Sequence, residues 1–171
     1  KRDVLKKAAA VARPGTPIAS NTSSIPISEL ASAIPDASCM IGLHFFSPVE
    51  RMPLVEVVRT DATSDQTLAR ALDFLKAIDK TPVVVRDGLG FFTSRVVTTY
   101  SSETMNLLAE GVPPQLIDNA AINAGFALGP VSLCDMVTMP LLKDIFASMR
   151  GDGHRIADQG SVARETVGKL V

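Results

Sequence analysis

The apolar positions in the first half of the chain alternate between helical spacing and short continuous runs. Helix-forming residues occupy 3–12 and end at Pro14-Gly15, and apolar residues return every third or fourth position within 27–34 and 64–79. This is the spacing of helices that bury one face. We therefore predict helices over these three segments.

Four short apolar runs lie between or after these helices, and the run 54–58 is rich in β-branched residues. They cover 17–19, 39–46, 54–58 and 82–86, and Pro, Ser, Thr or charged residues flank each of them. Runs of this length with such flanks are typical of buried strands. Strands that alternate with helices predict an α/β layer.

The pattern changes at the loop Asp87-Gly88-Leu89-Gly90, because no strand-like run follows it. Helical spacing continues over 91–110, 114–124, 140–150 and 161–170, with Gly129-Pro130 interpreted as a helix break. We therefore predict a domain boundary at this loop. An α/β domain covers 1–86, and an all-α domain covers 87–171.

The composition is that of an ordinary globular protein. Hydrophobic residues make up 46% of the chain and charged residues 20%, and the formal net charge is −1. So small a charge provides no field to attract nucleic acid, and no apolar run reaches the ~18–20 residues that span a bilayer. Cys39 and Cys134 lie far apart without a CxxC pair, which favours two reduced core thiols over a disulfide or a metal site.

Two titratable residues fall inside predicted strands. His44 interrupts the run 39–46 and Glu56 the run 54–58, where an ionisable group costs desolvation unless it has a partner. If the chain folds back about Glu50-Arg51, the two side chains lie opposite each other and form an acid/base pair. The alternatives are a core histidine satisfied by a main-chain carbonyl and a glutamate at the surface.

The polar segment Ser20-Asn21-Thr22-Ser23-Ser24 follows a predicted strand and precedes a predicted helix. Open α/β sheets bind ligands at such places, although the same residue types are also ordinary caps of a helix N-terminus. For Arg95 a surface salt bridge is the default expectation, and for His154 a solvated loop.

Two strings of residues together indicate a family. IASNTSSIPISELA at 18–31 and GLHFFSPVERMPLVEVV at 42–58 resemble the 3-hydroxyacyl-CoA dehydrogenases of fatty-acid β-oxidation. The second string is more similar to the large multifunctional β-oxidation proteins than to the single-activity enzymes. The resemblance implies oxidation of an L-3-hydroxyacyl-CoA to a 3-ketoacyl-CoA, with NAD as cofactor.

The same resemblance implies roles for individual residues. His44 matches the residue that takes the proton from the substrate hydroxyl, and Glu56 matches the glutamate that pairs with it. Ser23 matches the serine that binds the substrate oxygen. Asn21 matches an asparagine near the nicotinamide, and is therefore expected to bind the cofactor.

One substrate-binding position departs from the family pattern. The family helix usually reads Gly-Phe, two residues, then Asn-Arg, whereas Gly90-Phe91 is here followed by Ser94-Arg95. Ser94 and Ser47 are both expected to bind substrate. A serine hydroxyl reaches less far than an amide, so a water molecule or a different position of the acyl group would have to compensate.

The glycine-rich GxGxxG turn that binds pyrophosphate in the family does not occur in these residues. We therefore expect a fragment. It would comprise the C-terminal part of a Rossmann-type NAD-binding domain, then a truncated helical 3-hydroxyacyl-CoA dehydrogenase C-terminal domain for dimerisation and substrate binding. In such a fragment we also expect an uncovered sheet edge at 17–20 and 39–46.

The expected partners are an acyl-CoA substrate and either a second copy of the protein or a multifunctional complex with a thiolase subunit. We expect no nucleic acid and no membrane span. The resemblance implies a location in the cytoplasm of a bacterium, or in mitochondria or peroxisomes. Two rival interpretations stay open: a non-catalytic structural relative, as in the lens, and an inactive fragment without the glycine-rich turn.

Overall fold

The computed structural model describes residues 1–23, 25–137, 165, 166 and 169. The helices are α1 (Arg2–Val11), α2 (Ile27–Ala31), α3 (Asp65–Ala77), α4 (Thr93–Ala109), α5 (Pro114–Asn123) and α6 (Pro130–Val137). The strands are β1 (Ile18–Ser20), β2 (Met40–Phe45), β3 (Leu54–Arg59) and β4 (Thr81–Arg86). The chain divides into two compact units, 1–93 and 94–171.

The first unit is an α/β layer built on a four-stranded sheet. The strand order is β1-β2-β3-β4, in which β1 is parallel to β2 and β3 is parallel to β4. Strands β2 and β3 are antiparallel, and their register places Gly42 opposite Val58 and His44 opposite Glu56. The predicted reversal of the chain about Glu50-Arg51 is therefore confirmed.

Side chains from the two faces of this sheet enter two different cores. The core on the side of α1 and α2 contains Leu5, Ile27, Leu30, Met40, Val58 and Phe91. The core on the side of α3 contains Ile41, Leu43, Val55, Val57, Ala71 and Leu75. Because both faces are covered, β2 and β3 are almost continuously apolar, and alternation directs His44 and Glu56 to the face of α2.

Asp87, directly after β4, caps the start of α2. Its Oδ1 accepts a hydrogen bond from the Ile27 N–H and its Oδ2 accepts one from the Ser28 N–H, both at 2.8 Å. Pro26, which precedes the helix, supplies no side-chain cap of its own. The segment 87–93 thereby belongs to the packing of the first unit, and Phe91 is part of its core.

In the second unit, the described elements are all helical. Asp118 on α5 accepts hydrogen bonds from the Val131 N–H at 2.7 Å and from the Ser132 hydroxyl at 2.6 Å, and so caps α6. The rings of Tyr100 and Phe126 stack with their centroids 4.8 Å apart. Across the described parts of both units, no helix is long and apolar enough to cross a membrane.

Every helix and strand predicted within the described residues is present, and Cys39 and Cys134 are free and buried as expected. Gly129-Pro130 does lie at a break between helices, but α6, which begins at Pro130, was not predicted; the missing N–H of a proline costs nothing at a helix start. One expectation is wrong. The run 39–46 is not an uncovered edge, because β2 pairs with β1 and with β3. Predicted helices 140–150 and 161–170 and the loop at His154 lie outside the described residues, apart from Glu165, Thr166 and Lys169.

Candidate active site

His44 and Glu56 form a buried hydrogen-bonded pair between adjacent strands. They are direct partners in the antiparallel register, and His44 Nδ1 lies 2.6 Å from Glu56 Oε2. Glu56 is 0% exposed and His44 is 8% exposed. The contact predicted from the sequence is therefore present, and the alternative of a surface glutamate is wrong.

Aromatic rings surround the imidazole of His44. The ring of Phe46 lies 4.7 Å from it between centroids, and the ring of Phe91 lies 5.9 Å away. Because Nδ1 contacts Glu56, the other ring nitrogen, Nε2, is left to exchange a proton with a further molecule. An imidazole whose second nitrogen is held by a carboxylate is the usual arrangement of a general base.

Glu56 has three hydrogen-bond donors besides His44, all in the segment that enters α4. Its Oε1 accepts from the N–H groups of Phe92 at 3.1 Å and Thr93 at 2.8 Å. Its Oε2 accepts from the Thr93 hydroxyl at 2.7 Å, in addition to the contact with His44. A carboxylate has about four lone-pair positions, so these contacts occupy all of them.

The turn before α4 explains how two main-chain N–H groups reach one carboxylate. Gly90 and Phe91 both have positive φ, at 71° and 48°. A left-handed conformation is rare for a residue such as Phe91, and here its buried ring, 3% exposed, anchors it in the core. Successive N–H groups after such a turn form a concave site that binds an anion, which in this case is the Glu56 carboxylate.

The pKa of Glu56 lies below its ordinary value. Burial raises the pKa, but the hydrogen bonds from His44 and from the Thr93 N–H and hydroxyl, together with the charge of His44, lower it by more. Glu56 is therefore charged at neutral pH. A charged Glu56 can only accept, so the hydrogen bond places a proton on His44 Nδ1 and leaves Nε2 as the atom that can act as a base.

Asn21, directly after β1, contacts the strand that carries His44. Its Oδ1 accepts a hydrogen bond from the N–H of Phe45, the residue after His44, at 2.9 Å. Ser23 is exposed in the same loop, and Thr22 Oγ1 accepts from the Ile25 N–H at 3.1 Å. The segment thus makes ordinary turn contacts and also carries two exposed polar residues, Asn21 and Ser23. Asn21 itself contacts the strand of His44.

Ser47 and Ser94 were also expected to bind substrate. In the described part of the chain, no shown contact joins either of them to the His44–Glu56 pair. Ser47 is exposed after β2, and Ser94 is half-buried as the second residue of α4. Ser24 lies outside the described residues. Sequence reasoning missed Thr93, for which the only available signal was its place after Gly90-Phe91.

Comparisons with known proteins identify the family. A family model described as 3-hydroxyacyl-CoA dehydrogenase, NAD binding domain, matches residues 1–88, and the model of the family's C-terminal domain matches residues 90–169. The chain belongs to the 3-hydroxyacyl-CoA dehydrogenase family. The fold class expected from the sequence, a Rossmann-type α/β part followed by a helical C-terminal part, is confirmed.

The relatives of this chain include enzymes of different lengths. The fatty acid oxidation complex subunit alpha of Shewanella loihica is 48% identical over 71% of this chain and 17% of the relative. The (S)-3-hydroxybutyryl-CoA dehydrogenase of Ralstonia eutropha has a TM-score of 0.89 and 31% identity, covering 98% of this chain and 60% of the other. The 3-hydroxybutyryl-CoA dehydrogenase of Escherichia coli has a TM-score of 0.82 and 34% identity, with coverages of 87% and 32%. The chain thus spans only about a sixth of the length of the curated relatives it matches.

The residues present fit one end of the family's cofactor. Asn21 and Ser23 are exposed polar side chains at the end of β1, which is where parallel sheets bind ligands. No GxGxxG sequence for the pyrophosphate occurs in the 171 residues. In the described parts of the chain, no three His, Cys, Asp or Glu side chains group as a metal site.

Proposed function

We propose that the protein oxidises an L-3-hydroxyacyl-CoA to a 3-ketoacyl-CoA with NAD, as a step of fatty-acid β-oxidation. The observation that carries this proposal is the buried His44–Glu56 pair, in which Glu56 Oε2 lies 2.6 Å from His44 Nδ1. Ionisable groups are rarely placed in a core unless they pair, and here the pair leaves one basic nitrogen available. The names of the relatives and of the family models agree with this activity.

In the proposed reaction, His44 Nε2 takes the proton of the substrate's 3-hydroxyl group. As the C3–O bond becomes a double bond, the hydrogen on C3 leaves with its electron pair, and bound NAD supplies the acceptor for this hydride. The imidazole becomes positively charged, and the Glu56 carboxylate in contact with Nδ1 stabilises that charge. His44 is therefore the general base, and Glu56 orients it and balances its charge.

The binding of substrate and cofactor is assigned to polar residues that the family resemblance indicates. We assign the substrate oxygen to Ser23, and other substrate contacts to Ser47 and Ser94. Asn21 is assigned to the nicotinamide end of NAD, because its hydrogen bond to the Phe45 N–H fixes it beside the strand of His44. These assignments extend the resemblance residue by residue.

At the level of domains, we propose that 1–86 is the C-terminal part of the NAD-binding domain and 87–171 is part of the helical domain for dimerisation and substrate binding. The proposed assembly is a homodimer or a multifunctional complex with a thiolase subunit, since the curated relatives are named as alpha subunits of a fatty acid oxidation complex. The matching fatty acid oxidation complex subunits of Shewanella loihica and Shewanella halifaxensis are bacterial, which supports a cytoplasmic location.

The test is the His44→Gln variant of the intact protein, assayed by NADH absorbance with a 3-hydroxyacyl-CoA. We expect turnover to fall by the ~10²–10⁴-fold typical of losing a general base, with a smaller effect on KM for the acyl-CoA. Thr99→Val is the control, because the Thr99 hydroxyl donates to the Arg95 carbonyl at an exposed position. Near-normal kcat in His44→Gln would remove this residue from the role, and an inactive wild type would support a non-catalytic relative.

A further inference from the structure

We propose that Thr93 is a positioning residue for the reaction: its hydroxyl, with two main-chain N–H groups, holds Glu56 charged and turned toward His44. This inference rests on the proposed function, because it concerns the same pair. The side chain of Thr93, which lies at the start of α4 and not on β2 or β3, is thereby assigned the role of orienting the Glu56 carboxylate and keeping it ionised.

The argument begins with the occupancy of each carboxylate oxygen. Oε1 accepts from the N–H groups of Phe92 and Thr93, and Oε2 accepts from the Thr93 hydroxyl and His44 Nδ1. With four donors on about four lone-pair positions, a proton added to Glu56 would have to displace a donor. The carboxylate is therefore kept ionised by geometry as well as by charge.

The Thr93 hydroxyl differs from the two N–H groups in the oxygen that it contacts. It shares Oε2 with His44, at 2.7 Å against 2.6 Å for the histidine. It is also the donor that a single side-chain substitution can remove, since the N–H groups belong to the main chain. Without it, Oε2 has a vacant lone pair, where a proton can bind or toward which the carboxylate can turn.

Among the described residues, few charged groups are in contact with the Glu56 carboxylate. In the described part of the chain, His44 on β2 is the titratable residue that contacts Glu56, and β4 presents Val83 at the paired position. The turn from 88 to 92 presents main-chain groups and the buried ring of Phe91. A change in pH dependence after substitution of Thr93 therefore reports on the His44–Glu56 pair.

The experiment compares Thr93→Val with Thr93→Ser in the intact protein. Valine keeps the shape of threonine without the hydroxyl, whereas serine keeps the hydroxyl. Thr104→Val is the control, because Thr104 is another threonine of α4, itself buried, whose hydroxyl donates to an uncharged acceptor, the Tyr100 carbonyl, at 2.8 Å. We measure kcat and KM with one 3-hydroxyacyl-CoA substrate across the pH range.

In Thr93→Val, kcat should fall about 3- to 30-fold, because part of the energy of one charge-assisted hydrogen bond is lost from the transition state. The KM for the acyl-CoA should change little. The acidic limb of the profile should move to higher pH, because the freed carboxylate takes up a proton more readily and attracts a proton to His44 more strongly. Thr93→Ser and Thr104→Val should retain the wild-type profile. A decrease that is equal at every pH, or equal in the Val and Ser variants, would overturn the proposal.

A second readout does not depend on activity. Hydrogen exchange at the imidazole C2 of His44, followed by peptide mass spectrometry, measures the pH midpoint at which this ring becomes protonated. We expect Thr93→Val to raise the midpoint and Thr93→Ser to leave it unchanged. If Thr93→Val raises the midpoint but the wild type has no dehydrogenase activity, the proposed function fails, whereas the effect of Thr93 on the protonation of His44 is confirmed. An unchanged midpoint in Thr93→Val overturns that effect itself.

Discussion

At the scale of single residues, the acid/base pair combines one contact that the sequence predicts with three that it does not. The partnership of His44 and Glu56 follows from two polar residues in apolar strands at equal distances from a turn. The remaining donors belong to Phe92 and Thr93, and two of them are main-chain N–H groups. Every residue except proline has such a group, so residue type does not indicate which ones reach Glu56.

Glu56→Gln should disrupt the pair without changing its shape. The N–H groups of Phe92 and Thr93 require the amide oxygen on their side, which turns the amide NH₂ toward His44 Nδ1. Nδ1 must then accept, so the neutral ring carries its proton on Nε2, where the base is needed. We expect turnover to fall by about 10²–10⁴-fold, as for the loss of the orienting carboxylate in other triads.

The pH profile of Glu56→Gln supplies the sharper measurement. Without the carboxylate the protonated imidazole is less stable, so the acidic limb of kcat/KM should move to lower pH. This direction is opposite to that expected for Thr93→Val, in which the carboxylate remains and loses a donor. An unchanged profile in a normally folded Glu56→Gln protein would mean that the two residues are not coupled.

At the scale of elements, the close approach of β2 to β3 and α2 depends on the absence of a side chain at Gly42. A Cβ atom there would lie 2.7 Å from Val58 Cβ and 2.9 Å from Ile27 Cδ1 and Cγ1. Val58 and Ile27 are both 0% exposed, so neither can move into solvent. Gly42 is two residues before His44 on the same face of the sheet, so this packing also fixes the base.

Gly42→Ala should therefore destabilise the first unit by the ~1–3 kcal/mol typical of overpacking. Gly88→Ala is the matched control, because a Cβ at Gly88 meets nothing within 4 Å, and its effect should stay within about 0.5 kcal/mol. Chemical denaturation followed by circular dichroism measures both. Equal stabilities of the two variants would show that the sheet can separate from α2 at little cost.

The cap at the start of α2 allows a test of the proposed contact between Asn21 and the cofactor. Asp87→Ala removes the acceptors of the Ile27 and Ser28 N–H groups and should cost ~0.5–2 kcal/mol. Because α2 directly follows the loop of Asn21 and Ser23, we also expect KM for NAD to rise more than kcat falls. As the control, Asp118→Ala removes a similar cap from α6 and should leave KM for NAD unchanged. If both variants changed KM for NAD equally, the α2 cap would have no specific effect on cofactor binding.

The elements themselves could largely be predicted from the sequence, because most of them bury one face or both. The strands β2 and β3 appear as continuous apolar runs since helices cover both sides of the sheet. The helix α6 was missed because Gly129-Pro130 carries two residues that usually end helices. Its start depends on the Asp118 cap, which comes from α5 and has no signal in the local sequence.

At the scale of the whole molecule, the acid/base pair and its contacts belong to one unit. His44, Glu56, Phe92 and Thr93 all lie within 1–93, which the contacts define as compact. The shown contacts of the pair therefore all come from residues of this unit. Binding of NAD is a separate requirement, because in this family the pyrophosphate needs N–H donors at a glycine-rich helix start.

The 171 residues expressed alone should not bind NAD with useful affinity, although they form the pair. Asn21 and Ser23 could supply only a few hydrogen bonds, each worth about 0.5–1.5 kcal/mol net, against an association cost of ~4–15 kcal/mol. No GxGxxG sequence among these residues adds to them. Calorimetric titration of the purified 171-residue chain with NAD measures this affinity, and the intact protein is the positive control. A micromolar dissociation constant for the chain alone would place the nucleotide site within these residues, and Asn21 and Ser23 would then be only part of it.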